Sequence, residues 1–156
     1  MTQKKYSVVI ADTSCFILLD KINQLSLLQK VFGRVTTTHT IAAEFGKALP
    51  DWITTESPVN RHYTQLLEME IDKGEASAIA LALENEKSLL ILDDSKARKL
   101  ALRLKLDYTG TLGILLKGKE LGIVSSIKPL LLQIQQTNFR FSEKVLMDIL
   151  AEANET

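Results

Sequence analysis

The chain has 156 residues, of which 46% are hydrophobic and 24% charged, and its nineteen basic residues balance nineteen acidic ones. This is the size of one ordinary domain with enough apolar material for a substantial core, and it excludes disordered and fibrous classes. Zero net charge gives no general attraction to duplex nucleic acid, so any nucleic-acid contact must be local, and the single Cys15 excludes both an intrachain disulfide and a thiolate zinc cage.

The charged start, Met1 to Tyr6, leads into only a short apolar run broken by Asp12, which is not a signal-peptide pattern, and no stretch reaches transmembrane length. With the lone cysteine, this fits a reducing cytoplasm. Val8-Val9-Ile10-Ala11 reads as a buried strand that ends abruptly in Asp12-Thr13-Ser14. Residues 15–28 carry Phe16, Ile17, Leu19, Ile22, Leu25 and Leu28 at the spacing of one or two short helices, and Gly33 breaks the pattern. Residues 34–37 read as a strand. Thr38 or Thr40 then caps a helix carrying Ile41, Glu44, Phe45 and Leu49, which Pro50 is expected to end.

Residues 52–55 have strand composition, and Asn60 is a candidate cap for a helix holding Tyr63, Leu66, Leu67 and Glu70. Gly74 is expected to separate that helix from the next, in which Ala76, Ile79, Ala80 and Leu83 recur at helical spacing and Glu75 falls in the first turn. A second buried-strand pattern, residues 89–92, ends in Asp93-Asp94-Ser95 before a helix to about residue 105. An extended piece at 107–109 follows, and Gly110-Thr111 restarts a helix. From residue 125 onward the apolar spacing gives two further helices with no strand between them, and the terminal Asn154-Glu155-Thr156 is expected to fray. The alternation of β-branched runs with helical periodicity is that of a parallel α/β domain covering residues 1–156, with the C-terminal helices packed on it.

Chemistry concentrates in the acids. Taken singly, Asp12 or Asp94 reads as a helix cap, Glu75 as a charge suited to a helix N-terminus, and Glu44 as a solvated side chain. Their conjunction reads differently. In open α/β sheets, sites lie beyond the carboxyl ends of the strands, so the acids after the two buried strands meet there if those strands are neighbours. Gathered carboxylates repel one another, and hard divalent cations are the usual remedy.

The segments Val9-Ile10-Ala11-Asp12-Thr13-Ser14, Ile41-Ala42-Ala43-Glu44-Phe45, Gly74-Glu75-Ala76 and Asp93-Asp94-Ser95-Lys96-Ala97-Arg98, followed by Gly110-Thr111-Leu112-Gly113, occur in the order found in PIN-domain proteins. The chain resembles that family of metal-dependent ribonucleases, which includes the VapC-type toxins of toxin–antitoxin pairs. Within it, the chain more closely resembles a prokaryotic subgroup with G-E-A, D-D-x-x-A-R and G-T-x-G motifs. The resemblance implies a three-layer fold with a five-stranded parallel sheet in the order 3-2-1-4-5. It also implies catalytic acids at Asp12, Glu44, Glu75 and Asp94, and Mg²⁺ or Mn²⁺ bound by Asp12, Glu75 and one or both of Asp93 and Asp94. Thr13, Ser14, Arg98 and Thr111 would support the site or the RNA substrate. Glutamate at position 75 departs from the aspartate usual in VapC toxins. By the same resemblance, the chain would form a homodimer or higher oligomer and be restrained by a small antitoxin, with no membrane involved.

Other residues carry less. Lys96, Arg98, Lys99, Arg103 and Lys105 form either a solvated face or an RNA-backbone contact, and Cys15 reads as a small apolar core residue. His39 and His62 lack a visible nucleophile partner. The competing reading is a catalytically silent PIN scaffold that binds RNA or protein, although a binding module has no need of clustered carboxylates. A receiver-type domain would want the acidic pair after the first strand, and a haloacid-dehalogenase-like phosphatase would want aspartate where Ser14 stands.

Overall fold

The computed structural model describes residues 6–156, so residues 1–5 lie outside the described part of the chain. Strand β1 (Val8–Ala11) is followed by helices α1 (Thr13–Lys21) and α2 (Ser26–Phe32), strand β2 (Val35–Thr37), helix α3 (His39–Phe45) and strand β3 (Ile53–Thr55). Helices α4 (Arg61–Leu67) and α5 (Lys73–Leu83) lead to strand β4 (Ser88–Ile91), helix α6 (Ser95–Arg103) and strand β5 (Asp107–Thr109). Helices α7 (Thr111–Glu120), α8 (Lys128–Gln135) and α9 (Glu143–Glu152) complete the chain.

All strand pairings are parallel, and the sheet order is β3-β2-β1-β4-β5. The two central strands are the most apolar, because a parallel strand covered on both faces has no solvent side for polar residues. Ile10, Leu90 and Ile91 are fully buried. The helices flank the sheet, giving a three-layer α/β architecture. Phe16, Leu18 and Leu19 of α1 are also fully buried, each such side chain contributing roughly 1.5–3 kcal/mol relative to exposure. Helix α5 is covered along nearly its whole length, from Gly74 to Ala82, and its alanines let it approach α3, α4 and the central strands closely.

Three local expectations are corrected. Helix α3 ends at Phe45, because Gly46 takes a left-handed conformation (φ 72°) and stops the helix before Pro50 is reached. Gly74 lies inside α5, whose cap is Asp72, and the break between helices falls at residues 68–72. The C-terminus is tied down: the Glu155 carboxylate accepts the backbone N–H groups of Ile127 (2.9 Å) and Lys128 (3.1 Å) at the start of α8 and pairs with Lys119 at 2.8 Å. Those donors hold the Glu155 carboxyl down to about 2. Among the described residues, no helix is long and apolar enough to cross a membrane.

Candidate active site

The sheet register determines where the first acids emerge. Ala11 pairs with Ile91, and Ile91 pairs with Thr109. The ladder continues one step further, with Asp12 N–H donating to Ile91 O (3.2 Å) and Leu92 N–H to Thr109 O (2.8 Å). Asp12, Asp93, Asp94 and Thr111 therefore leave the same carboxyl edge within two residues of one another. From β1 the chain winds one way to β2 and β3, then returns to add β4 and β5 on the other side. The β1/β4 junction is thus the switch point at which a doubly wound sheet opens a crevice.

Each carboxylate is held by specific partners. Asp93 accepts from Thr111 twice, from the backbone N–H at 2.8 Å and from the hydroxyl at 2.5 Å. A side chain at Gly110 would place its Cβ 2.9 Å from the Asp93 carboxylate, so the glycine in the Gly110-Thr111 pair leaves room for that contact. Asp94 caps α6, accepting the Ala97 N–H at 2.9 Å, which fixes it beside Asp93.

Glu44 and Glu75 arrive on packed helices. Thr38 caps α3 by accepting the Ile41 N–H at 3.1 Å, and its hydroxyl is 2.7 Å from that of Ser77, itself a donor to Gly74 O at 2.7 Å. This buried chain locks α3 to the first turn of α5. Thr13 donates to the Glu44 carboxylate at 3.2 Å. A Cβ on Gly74 would sit 3.0 Å from the Glu44 carboxyl carbon and closer still to an oxygen, so Glu44 occupies the space that a side chain there would need. Asp72 caps α5 through the Glu75 N–H at 2.9 Å.

Asp12, Glu44, Asp72, Glu75, Asp93 and Asp94 line one cavity of about 430 Å³, together with Thr13 and Ser14. Asp12 and Glu75 are buried, while Glu44, Asp72 and Asp94 reach solvent. Burial, reinforced by the charges of Asp72, Glu44 and Asp93, raises the Asp12 carboxyl from 3.8 to about 7 against the opposing Thr13 N–H. Burial with the charges of Asp72, Asp94 and Asp12 raises Glu75 from 4.5 to about 7. The site is short of positive charge and rich in hard oxygen donors, the chemistry that suits Mg²⁺ or Mn²⁺. Among the described residues, no three His, Cys, Asp or Glu side chains form a group that could hold a metal ion by themselves.

The remaining sequence candidates separate. Arg98 stands 4.9 Å from the Tyr108 ring and lines a neighbouring cavity, Arg103 pairs with Glu70 at 3.3 Å, and Lys96, Lys99 and Lys105 are exposed. Cys15 is fully buried, and burial pushes its thiol far up. Sequence reading missed Asp72, although the pattern Asp72-Lys73-Gly74-Glu75 is a helix-start signature. It also missed Phe139, Arg140 and Phe141, which reach the acidic cavity from the segment between α8 and α9 and carry no local signal for doing so.

A family model described as a PIN domain matches residues 8–155. Neither a curated protein nor a solved structure matches the chain.

Proposed function

The chain belongs to the PIN-domain family, a nuclease-type fold, and on that premise we propose that it is a metal-dependent endoribonuclease that hydrolyses RNA phosphodiester bonds. The observation that carries this reading is the convergence of six carboxylates on one cavity at the β1/β4 switch point, with the buried pair Asp12 and Glu75 raised to about 7. Among the described residues none of these six carboxylates forms an ion pair, although Arg140 also reaches the cavity lining.

In the proposed mechanism, Mg²⁺ or Mn²⁺ would be held by ligands drawn from Asp12, Glu75, Asp93 and Asp94. When bound, such a cation supplies Lewis acidity toward the phosphoryl group and a more acidic attacking water. Thr111 fixes the Asp93 carboxylate through two hydrogen bonds, and Thr13 steadies Glu44, which is placed to take a proton at the cavity mouth. The Ser14 hydroxyl, on the cavity lining, is available to donate to a non-bridging phosphate oxygen. The test is cleavage of a labelled single-stranded RNA with and without chelator, in wild type and in Asp12→Asn. Loss in both conditions supports the reading. Undiminished cleavage in chelator, or in the purified variant, overturns it and leaves a silent scaffold.

We further propose that this is the toxin half of a toxin–antitoxin pair in the cytoplasm. A ribonuclease with an open acidic site needs external restraint, and a basic tail on a small antitoxin would complement that site. Self-association is proposed through α4 and its flanks, where Tyr63, Leu66, Val59 and Met69 are exposed, while Leu67 belongs to the core. Light scattering of the protein alone and co-expressed with its neighbouring reading frame tests both. A strict monomer that captures no neighbour and leaves growth unaffected argues for a housekeeping nuclease.

A further inference from the structure

A second cavity, of about 690 Å³, adjoins the acidic one and shares Asp93, Arg140 and Phe141 with it. Its volume falls in the range of small-ligand sites. The walls come from α6, from the β5–α7 junction and from α9, and they combine an apolar surface at Leu116, Phe141, Val145 and Ile149 with the guanidiniums of Arg98 and Arg140.

The charges in this cavity are unequally satisfied. Asp93 is held by Thr111, Glu120 pairs with Lys117 at 3.7 Å, and Glu152 is exposed. Arg98 is half-buried with its guanidinium carbon 4.9 Å from the centre of the Tyr108 ring, and among the described residues it has no carboxylate within ion-pairing distance. Arg140 donates to the carbonyls of Thr137 and Phe139 and likewise has no carboxylate partner among them. A planar guanidinium beside an aromatic ring is well matched to bidentate phosphate recognition.

We propose that this second cavity is the subsite for the nucleotide adjoining the scissile phosphate of a single-stranded RNA, with Arg98 and Arg140 gripping its phosphodiester and the apolar wall around Phe141 receiving its base. The inference rests on the ribonuclease reading and deepens it. Because Asp93 is a wall of both cavities, a strand whose reacting phosphate lies among the carboxylates passes into the second cavity with its next nucleotide. Sequence-tolerant binding of this kind combines backbone cations with an aromatic or apolar face. Two guanidiniums with no carboxylate partner among the described residues also disfavour the basic peptide tail of a partner in this position.

The experiment measures binding of a fluorescein-labelled eight-nucleotide single-stranded RNA by anisotropy in chelator across a potassium chloride series. Cleavage of the same RNA with Mn²⁺ is followed in parallel. Arg98→Gln and Arg140→Gln should each weaken binding about tenfold, and each should reduce the salt slope by about 0.7, the value for one lost phosphate contact on a single strand. Val145→Trp changes no charge and fills the cavity from a position 40% exposed; it should weaken binding as strongly while leaving the salt slope intact. Lys30→Gln on α2, an exposed cation away from both cavity linings, should change neither. Thermal melts establish that the variants fold. If Arg98→Gln does not fold, the exposed positions Arg140 and Val145 carry the result. Wild-type binding and cleavage retained in Arg140→Gln and Val145→Trp overturns the subsite alone, including the case in which the cavity takes a partner's peptide instead. Wild-type protein that neither binds nor cleaves RNA overturns the ribonuclease reading with it.

Discussion

The Asp72 carboxylate accepts the backbone N–H of Glu75 at 2.9 Å, and the charge of the same carboxylate raises the pKa of the Glu75 side chain. One residue thus starts the helix that carries a buried acid and makes that acid harder to ionise. Asp72→Asn keeps a capping oxygen and removes the charge, so the apparent pKa values of Glu75 and Asp12 should both fall below about 7, as read from carboxyl NMR titrations. Asp72→Ala should lose the cap as well and cost about 1 kcal/mol in urea unfolding. Unmoved titrations in Asp72→Asn would remove this residue from the electrostatics of the site.

The raised carboxyls make stability in chelator depend on pH in a defined direction. Asp12 and Glu75 bind protons more tightly folded than unfolded, so between 3.8–4.5 and about 7 the native state holds more protons than the unfolded state. Stability then falls as pH rises through that window, with the loss complete above about 7. Urea unfolding in chelator should show a more stable protein at pH 5 than at pH 8, and Asp12→Asn should flatten the profile. Added Mn²⁺ should restore stability at pH 8, because it binds the ionised native site in preference to the unfolded chain. A profile that rises from pH 5 to pH 8 in chelator would contradict this electrostatic picture.

Gly74 separates folding from function. Alanine is the better helix former by about 0.5–1 kcal/mol, so Gly74→Ala should leave the melting temperature unchanged or higher. Its Cβ takes the space of the Glu44 carboxylate, and that exposed side chain can swing away. RNA cleavage should fall at least tenfold in a fully folded protein. Full activity in Gly74→Ala would mean that the position of Glu44 is immaterial.

The buried Thr111 hydroxyl supplies one of two hydrogen bonds that orient Asp93. Thr111→Val should cost roughly 1.5–3 kcal/mol, the range for a hydrogen bond to a charged group, and should raise the Mn²⁺ concentration needed for half-maximal cleavage. Thr111→Ser should restore the metal requirement, which distinguishes orientation of the ligand from simple packing. If valine and serine behave alike, the hydroxyl has no part in metal binding.

Much of this arrangement was readable from local sequence because its causes are local. The apolar runs at Val9-Ile10 and Leu89-Leu90 have the pattern of strands covered on both faces, and the carboxylates that end them leave at the sheet edge. The caps at Thr38 and Asn60 depend on a side chain three residues from its donor, which is also local information. Boundaries set by backbone conformation were harder. Gly46 ends α3 before Pro50, and Gly74, whose residue type suggests a break, lies inside α5 and leaves room for Glu44, a residue thirty positions earlier.

The sequence by itself therefore determined the strand and helix alternation, the buried central strands and the identity of the acids at their ends, since each follows from side-chain chemistry within a few residues. Only the tertiary structure decided which acids face one cavity, that Thr111 holds Asp93, that Asp72 joins the cluster and that Glu155 anchors the C-terminus to α8. It also carried Phe139, Arg140 and Phe141 from the end of the chain to the edge of β1 and β4. Those contacts are set by sheet order and helix packing, and the burial and mutual repulsion that raise Asp12 and Glu75 exist only once the chain has closed around them.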